Sequence, residues 1–260
     1  MKIIFHLIIF IFLTILTQVG GIIYLASITL IRRNKRILQL FVFLILYALS
    51  TFLIIPTIAP YFGREKIKES QNVKLHSIFY KIANRNYVRP ELNSIIENIG
   101  NSISRKHPGL KLTILDANFP FKDGFPLLPH LSHNDGKKVD ISLMYRTKEG
   151  VLTNEKPSNS GYGVFENPLK NEINQTTICK NNGAWQYDYP KYLTFGKNLD
   201  LEFSANTTKD LIQSILENNE IQKIFLEPHL KNRLNINSEK MRFHGCRAVR
   251  HDDHLHLQIQ

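Results

Sequence analysis

The chain has 260 residues, with 33 lysines and arginines against 22 aspartates and glutamates, a net charge of +11. No internal repeat or low-complexity tract is present, so repeat and low-complexity architectures are excluded. The basic excess suits anionic headgroups and wall polymers; nucleic acid is disfavoured, because no recognition motif accompanies the charge.

In chain order, Ile3–Ile31 contains no charged residue and neither does Ile37–Phe62. Each is long enough for a bilayer span of ~20 apolar residues. Between them Arg32-Arg33-Asn34-Lys35-Arg36 holds four basic residues in five. Only Lys2 precedes the first stretch, and after the second Arg64, Lys66 and Lys68 are mixed with Glu65 and Glu69. The densest basic cluster marks the cytoplasmic side. The pattern therefore predicts two transmembrane helices, about 3–31 and 37–62, forming a hairpin over 1–63. The loop 32–36 lies inside, and the N-terminus and everything after Tyr61 lie outside. The rival is a secretory signal. Against it stand the length of the stretch, the missing basic n-region and the missing small-x-small cleavage site. Pro56 and Pro60 are expected to kink or end the second span.

Residues 64–89 read as a charged juxtamembrane linker or helix. About 190 residues come after the spans, a normal single-domain size, with the folded part expected over 90–260. Pro90 opens a helix over Glu91–Ser104 with Leu92, Ile95, Ile96, Ile99 and Ile103 on one stripe. Leu110–Leu115 reads as a strand and Asn118–Leu131, with its prolines, as a loop. Lys138–Tyr145 alternates, placing Asp140 and Ser142 opposite Val139, Ile141 and Leu143. Residues 148–192 are polar and rich in Asn, Gly, Pro and Tyr, a long loop insertion. Its Trp185, Tyr187 and Tyr189 either line a groove or pack locally. A helix over Thr207–Asn218, a strand over Ile221–Leu226, a short helix over Pro228–Leu234 and a last strand over His254–Ile259 complete the chain. Cys179 and Cys246 are either paired, as an oxidising compartment would favour, or two free buried thiols.

Chemistry concentrates in two segments, Ser132-His133-Asn134-Asp135-Gly136-Lys137-Lys138-Val139-Asp140 and His251-Asp252-Asp253-His254-Leu255-His256. Side chains at i and i+2 of a strand share a face, so His254 and His256 project together. If the last strand neighbours the one carrying Asp140, Asp140 and His256 converge on one ion. His133 comes from the loop just before, where Gly136 allows a turn. Imidazole nitrogen and carboxylate oxygen suit zinc, and three protein ligands leave a fourth position open.

Ser-His-x-x-Gly-x-x-x-Asp, followed more than a hundred residues later by His-x-His, resembles the LAS metallopeptidases (the lysostaphin, D-Ala-D-Ala peptidase and hedgehog group). His-Asp-Asp-His-Leu-His is most similar to the penicillin-insensitive murein endopeptidases within it, and Ile224–Lys231 looks like the strand-Pro-helix segment preceding that motif. The resemblance covers roughly Asp116–Tyr145 and Leu199–Ile259. It implies an α+β fold, a small antiparallel sheet with flanking helices around one Zn2+ per domain. His133, Asp140 and His256 would be the metal ligands, and His254 and His251 the catalytic histidines. Asp252 and Asp253 match the paired acids between them, as candidates to hold an imidazole N–H from outside the coordination shell.

By the same resemblance the chain would be a membrane-anchored peptidoglycan hydrolase. Its catalytic domain would sit on the bacterial cytoplasmic membrane and face the periplasm or cell exterior. Alternatives are a carboxypeptidase trimming stem peptides, or a catalytically silent zinc module that binds the wall or signals. Arg247-Ala248-Val249-Arg250 departs from the aromatic or glycine residues expected before the His-rich motif, as do Lys137 and Lys138 from shorter or acidic residues. His6, His76, His107, His130, His229 and His244 match no ligand position; His130 is the one closest to His133.

Overall fold

The computed structural model describes residues 2–31 and 35–260. Arg32, Arg33 and Asn34 of the expected cytoplasmic loop lie outside the described residues. The helices are α1 (Lys2–Thr17), α2 (Gly20–Leu30), α3 (Arg36–Leu49), α4 (Ile55–Ile58), α5 (Ile78–Ile82), α6 (Pro90–Lys106), α7 (Gln175–Asn181), α8 (Ala205–Leu216) and α9 (Pro228–Arg233). The strands are β1 (Glu65–Lys66), β2 (Val73–Leu75), β3 (Tyr87–Val88), β4 (Leu112–Ile114), β5 (Lys138–Ser142), β6 (Tyr145–Thr147), β7 (Leu152–Thr153), β8 (Leu201–Phe203), β9 (Ile221–Phe225), β10 (Met241–Arg242) and β11 (His254–Ile259). The chain packs as two units. One comprises Met1–Ile67, Ile78–Asn93 and Ala117–Lys138, the other Lys68–Ser77, Ser94–Asp116 and Val139–Gln260.

In the first unit the expectation of two membrane helices is corrected. Residues 3–31 are not one span. The helix breaks at Gln18, whose φ of 68° is left-handed, and α2 folds back against α1. Among the described residues a single helical run, Arg36–Phe62, is long and apolar enough to cross a membrane. It passes Pro56 through a π turn, Ser50–Ile54, which accommodates the missing N–H. It closes just after Pro60, with Gly63 at φ 69° as the left-handed cap. Of the stretch 64–89 only Ile78–Ile82 is helical. Glu65–Lys66 instead pairs antiparallel with Tyr87–Val88, so sheet pairing overrides the weak helical periodicity.

In the second unit the sheet has six strands in the order β10-β9-β11-β5-β4-β2. It is larger than expected and not purely antiparallel. β9–β11 and β4–β5 are antiparallel, but β10–β9 and β2–β4 are parallel. Parallel neighbours need a crossover, supplied by α9 between β9 and β10 and by the chain through α6 between β2 and β4. The α6 stripe is buried, as its periodicity predicts. That helix opens on Pro90 and Glu91 and ends on Arg105 and Lys106, charges that complement its dipole. Leu211, Ile212 and Ile215 bury the inner face of α8. The alternating stretch 138–145 splits: β5 ends at Ser142, and Tyr145 begins the three-stranded sheet β7-β6-β8. Cys179 and Cys246 form a disulfide.

Candidate metal centre

β11 is amphipathic in a way that only its burial explains. Leu255, Leu257 and Ile259 fill the core on one face, yet His254 and His256 on the other are also buried. Its neighbours are β9, where His256 stands opposite Phe225, and β5. The adjacency to β5 brings His256 Nδ1 to 2.9 Å from Asp140 Oδ1. Tyr162 donates its hydroxyl to Asp140 Oδ2 at 2.8 Å, and His254 Nε2 lies 3.8 Å from the same oxygen. The Asp140 backbone is clamped by Asp116 O and Leu115 N. This carboxylate, 1% exposed, is therefore the hub of two imidazoles and a phenol.

The two histidines beyond the His256–Asp140 pair differ in their settings. Asp253 accepts from His254 Nδ1 through one oxygen and from the Gly163 amide, at 2.6 Å, through the other. A carboxylate on Nδ1 makes that nitrogen the N–H and turns Nε2 towards Asp140. Burial opposes charge on His254, but Asp140 and Asp253 outweigh it and raise its pKa to about 9. His251 lies with its ring 4.8 Å from that of His254. Burial, and then the neighbouring imidazoles of His254 and His256, push its pKa well below the usual histidine range. Its backbone N–H donates to Glu227 Oε1 at 3.1 Å, and Tyr187 donates to the same oxygen at 2.7 Å. His244 is the exposed member of this stack, 4.2 Å from Phe225 and 5.3 Å from His251 between ring centroids.

His133 belongs to the other unit, where it is buried. Its Nδ1 is 2.8 Å from the Ala117 carbonyl. A carbonyl only accepts, so Nδ1 carries the proton and Nε2 the lone pair. The loop that carries it is braced by two arginines. Arg64 bonds the Phe119 carbonyl, the Asp123 carboxylate and Asn134 O, and Arg89 bonds Asp123 and Asp135 O. Gly136 turns at φ 80°, where a Cβ would press on both arginine side chains. His130 packs its ring 5.4 Å from that of His133.

No family model matches the chain, and no curated protein does.

The insertion 148–192, expected to be loops, supplies much of the layer around the His-rich segment. Tyr162 and Gly163 reach Asp140 and Asp253, and Glu166 N bonds Asp252 O. Phe165 lies under Arg250 at 4.0 Å. Of the aromatics singled out by sequence, Tyr187 is buried packing, while Trp185 is 77% exposed. The disulfide ties α7 of the insertion to the approach to β11. Asp253 holds an imidazole, but that of His254, not of a ligand candidate. Asp252 is paired with Arg250, two residues away, with His229 at 3.6 Å. Tyr162 was missed by sequence reasoning. Its flanking Gly161 and Gly163, both at positive φ, are the one local sign of a turn built for a purpose.

Proposed function

We propose that this chain is a membrane-anchored zinc peptidase that hydrolyses an amide bond in peptidoglycan stem peptides or cross-links. The observation that carries the proposal is the meeting of Asp140 and His256 across neighbouring strands, with His254 held beside them by Asp253. His130, His133 and Asp140 are a group that could hold a metal ion. The catalytic set proposed is His133, Asp140 and His256. Imidazole nitrogen and carboxylate oxygen are donors that suit zinc, and His256 Nδ1 and Asp140 Oδ1 stand 2.9 Å apart. His133 is held through Nδ1 on Ala117 O, and Asp140 through the Tyr162 hydroxyl, partners of the kind that orient metal ligands from behind. The disulfide fits an oxidising compartment.

Zinc held by these residues would supply Lewis acidity towards an amide carbonyl and would lower the pKa of a bound water towards about 7. The protein's own groups do the rest. Tyr162 fixes Asp140 Oδ2 and so the direction in which Oδ1 points. Asp253 fixes the His254 ring, and the imidazolium that its two carboxylates favour would offer its Nε2 proton to charge developing on oxygen or to the leaving amine. His251, neutral by burial, stands ready to donate to charge developing on oxygen. Burial of the group excludes bulk water, and the exposed His244 leaves one side of the histidine stack open to a substrate peptide.

The test uses the full-length chain purified in detergent, incubated with cross-linked muropeptides and read by mass spectrometry. Cross-linked species should decline, and His254→Ala should retain the metal while losing ~10²–10⁴-fold in rate. An unchanged muropeptide profile from metal-loaded protein would reject the hydrolase and leave a zinc module that binds the wall.

A further inference from the structure

The N-terminal helices pose a question that the metal centre does not answer: what covers α1 and α2. Ile4, Ile8 and Phe12 of α1, Ile22 of α2 and Phe41 and Ile45 of α3 are 58–67% exposed. Lys2 to Arg64 includes no acidic residue. Yet α1 has 16 residues and α2 only 11. At 1.5 Å per residue these are ~24 and ~16 Å, short of the ~30 Å hydrocarbon core that one helix must cross.

The two helices lie against each other antiparallel. His6 Nδ1 is 2.6 Å from Tyr24 OH. A Cβ on Gly21 would lie 2.0 Å from Thr14 Oγ1 and 2.5 Å from Phe10 O, a helix approach that only glycine permits. Most polar groups of the turn, Gln18 Nε2 excepted, are engaged within the fold, as the bilayer interior favours. Thr17 Oγ1 donates to Leu13 O and accepts from Gly20 N, Gln18 N donates to Thr14 O, and Gln18 Oε1 accepts from Phe121 N. The turn also packs beside the far end of the spanning run, with Val19 against Ile55, Ala59 and Tyr87. α2 then descends along α3, where Tyr24 meets Phe43 and Gln39 Nε2 donates to Ile31 O. α1 and α3 consequently start at the same end, which gathers Lys2, Lys35 and Arg36 there and leaves Gly63 at the other.

We infer that α1 and α2 enter the acyl-chain layer of a lipid bilayer as one folded hairpin beside α3, so that Lys2, Lys35 and Arg36 share the cytoplasmic face. This rests on the reading that the Arg36–Phe62 run crosses a bilayer. It replaces the N-terminus-out arrangement that two separate spans would impose, and it puts Lys2, Lys35 and Arg36 on one side, as the charge asymmetry of membrane proteins favours.

The experiment expresses the full chain in a bacterium with a single added cysteine, Lys2→Cys, Lys35→Cys or Lys122→Cys. Cys179 and Cys246 are joined to each other, so a maleimide reads only the new thiol. Intact spheroplasts are treated with a membrane-impermeant maleimide, before and after permeabilisation, and alkaline-washed membranes are assayed in parallel. Lys122→Cys should label in intact cells, and Lys2→Cys and Lys35→Cys only after permeabilisation. Labelling of Lys2→Cys in intact cells, with Lys35→Cys protected, would overturn the hairpin and restore a single span. A chain washed off the membranes would instead overturn the underlying bilayer reading.

Discussion

Two regions of this molecule invert the usual rule of apolar inside and polar outside. Along α1 to α3, isoleucines and phenylalanines face outwards, while at β5 and β11 an aspartate and two histidines are sealed within the fold. Each inversion costs free energy unless a further component compensates. Exposed apolar surface of this extent is stabilised by lipid, and a buried carboxylate by partners or a cation. The difference is in rigidity. The apolar helices present a face that any acyl chain can cover. The buried polar group is fixed atom by atom through Tyr162, Asp253, Glu227 and the backbone at Leu115 and Asp116. A nonspecific solvent would suffice for the first, and a specific ligand, the proposed cation, would complete the second.

Substitutions can separate these two kinds of inversion, and the largest effect is expected at the hub. Asp140→Ala or His256→Ala should abolish metal retention and wall hydrolysis together, read by elemental analysis and muropeptide digestion; retained metal would show that the pair is an ordinary buried hydrogen bond. Tyr162→Phe keeps the ring on His254 but removes the hydroxyl from Asp140. A loss of 10–100-fold in metal affinity or rate is expected, as for groups that orient ligands, with the fold unchanged by circular dichroism. Replacing both Cys179 and Cys246 by serine should lower stability by about 2–4 kcal/mol in denaturant titration and loosen the insertion from the His-rich segment.

A separate effect, read only in the pH dependence of stability, concerns a second buried charge. Lys156 donates to the Leu143 carbonyl, lies 5.5 Å from the Tyr145 ring, and is pulled down to about 7 by burial, with Lys74 adding to the shift. A lysine lowered on folding is bound by more protons in the unfolded chain between that value and ~10.4. Stability should therefore rise with pH across this window, by up to about 1.4 kcal/mol per unit, and the penalty be complete below about 7. Lys156→Met should flatten that slope in thermal melts; an unchanged slope would mean that the ammonium is compensated within the fold.

The legible parts of this chain were those with a period. Strand alternation put Asp140 and His256 on faces that could meet, and the sheet order made β5 and β11 neighbours. The i, i+3, i+4 stripe fixed α6. Residues 3–31 defeated the same reasoning, because an unbroken apolar run carries no sign of direction. The reversal depends on Gln18 adopting φ 68° and on Gly21 admitting α1, both of which are tertiary facts. Tyr162 was invisible for a related reason: no spacing links it to Asp140, and a polar, glycine-rich insertion reads as solvent-exposed until its contacts are known. Asp252 misled because its partner, Arg250, stands within the same turn.

The most direct test of the account is metal content measured on the full-length, detergent-purified chain, wild type beside Asp140→Ala, with chelator and zinc add-back during muropeptide digestion. The account predicts one equivalent of zinc in the wild type and none in the variant, with cleavage lost to chelator and restored by zinc. A wild-type chain without metal after zinc loading, or cleavage indifferent to chelator, would contradict it.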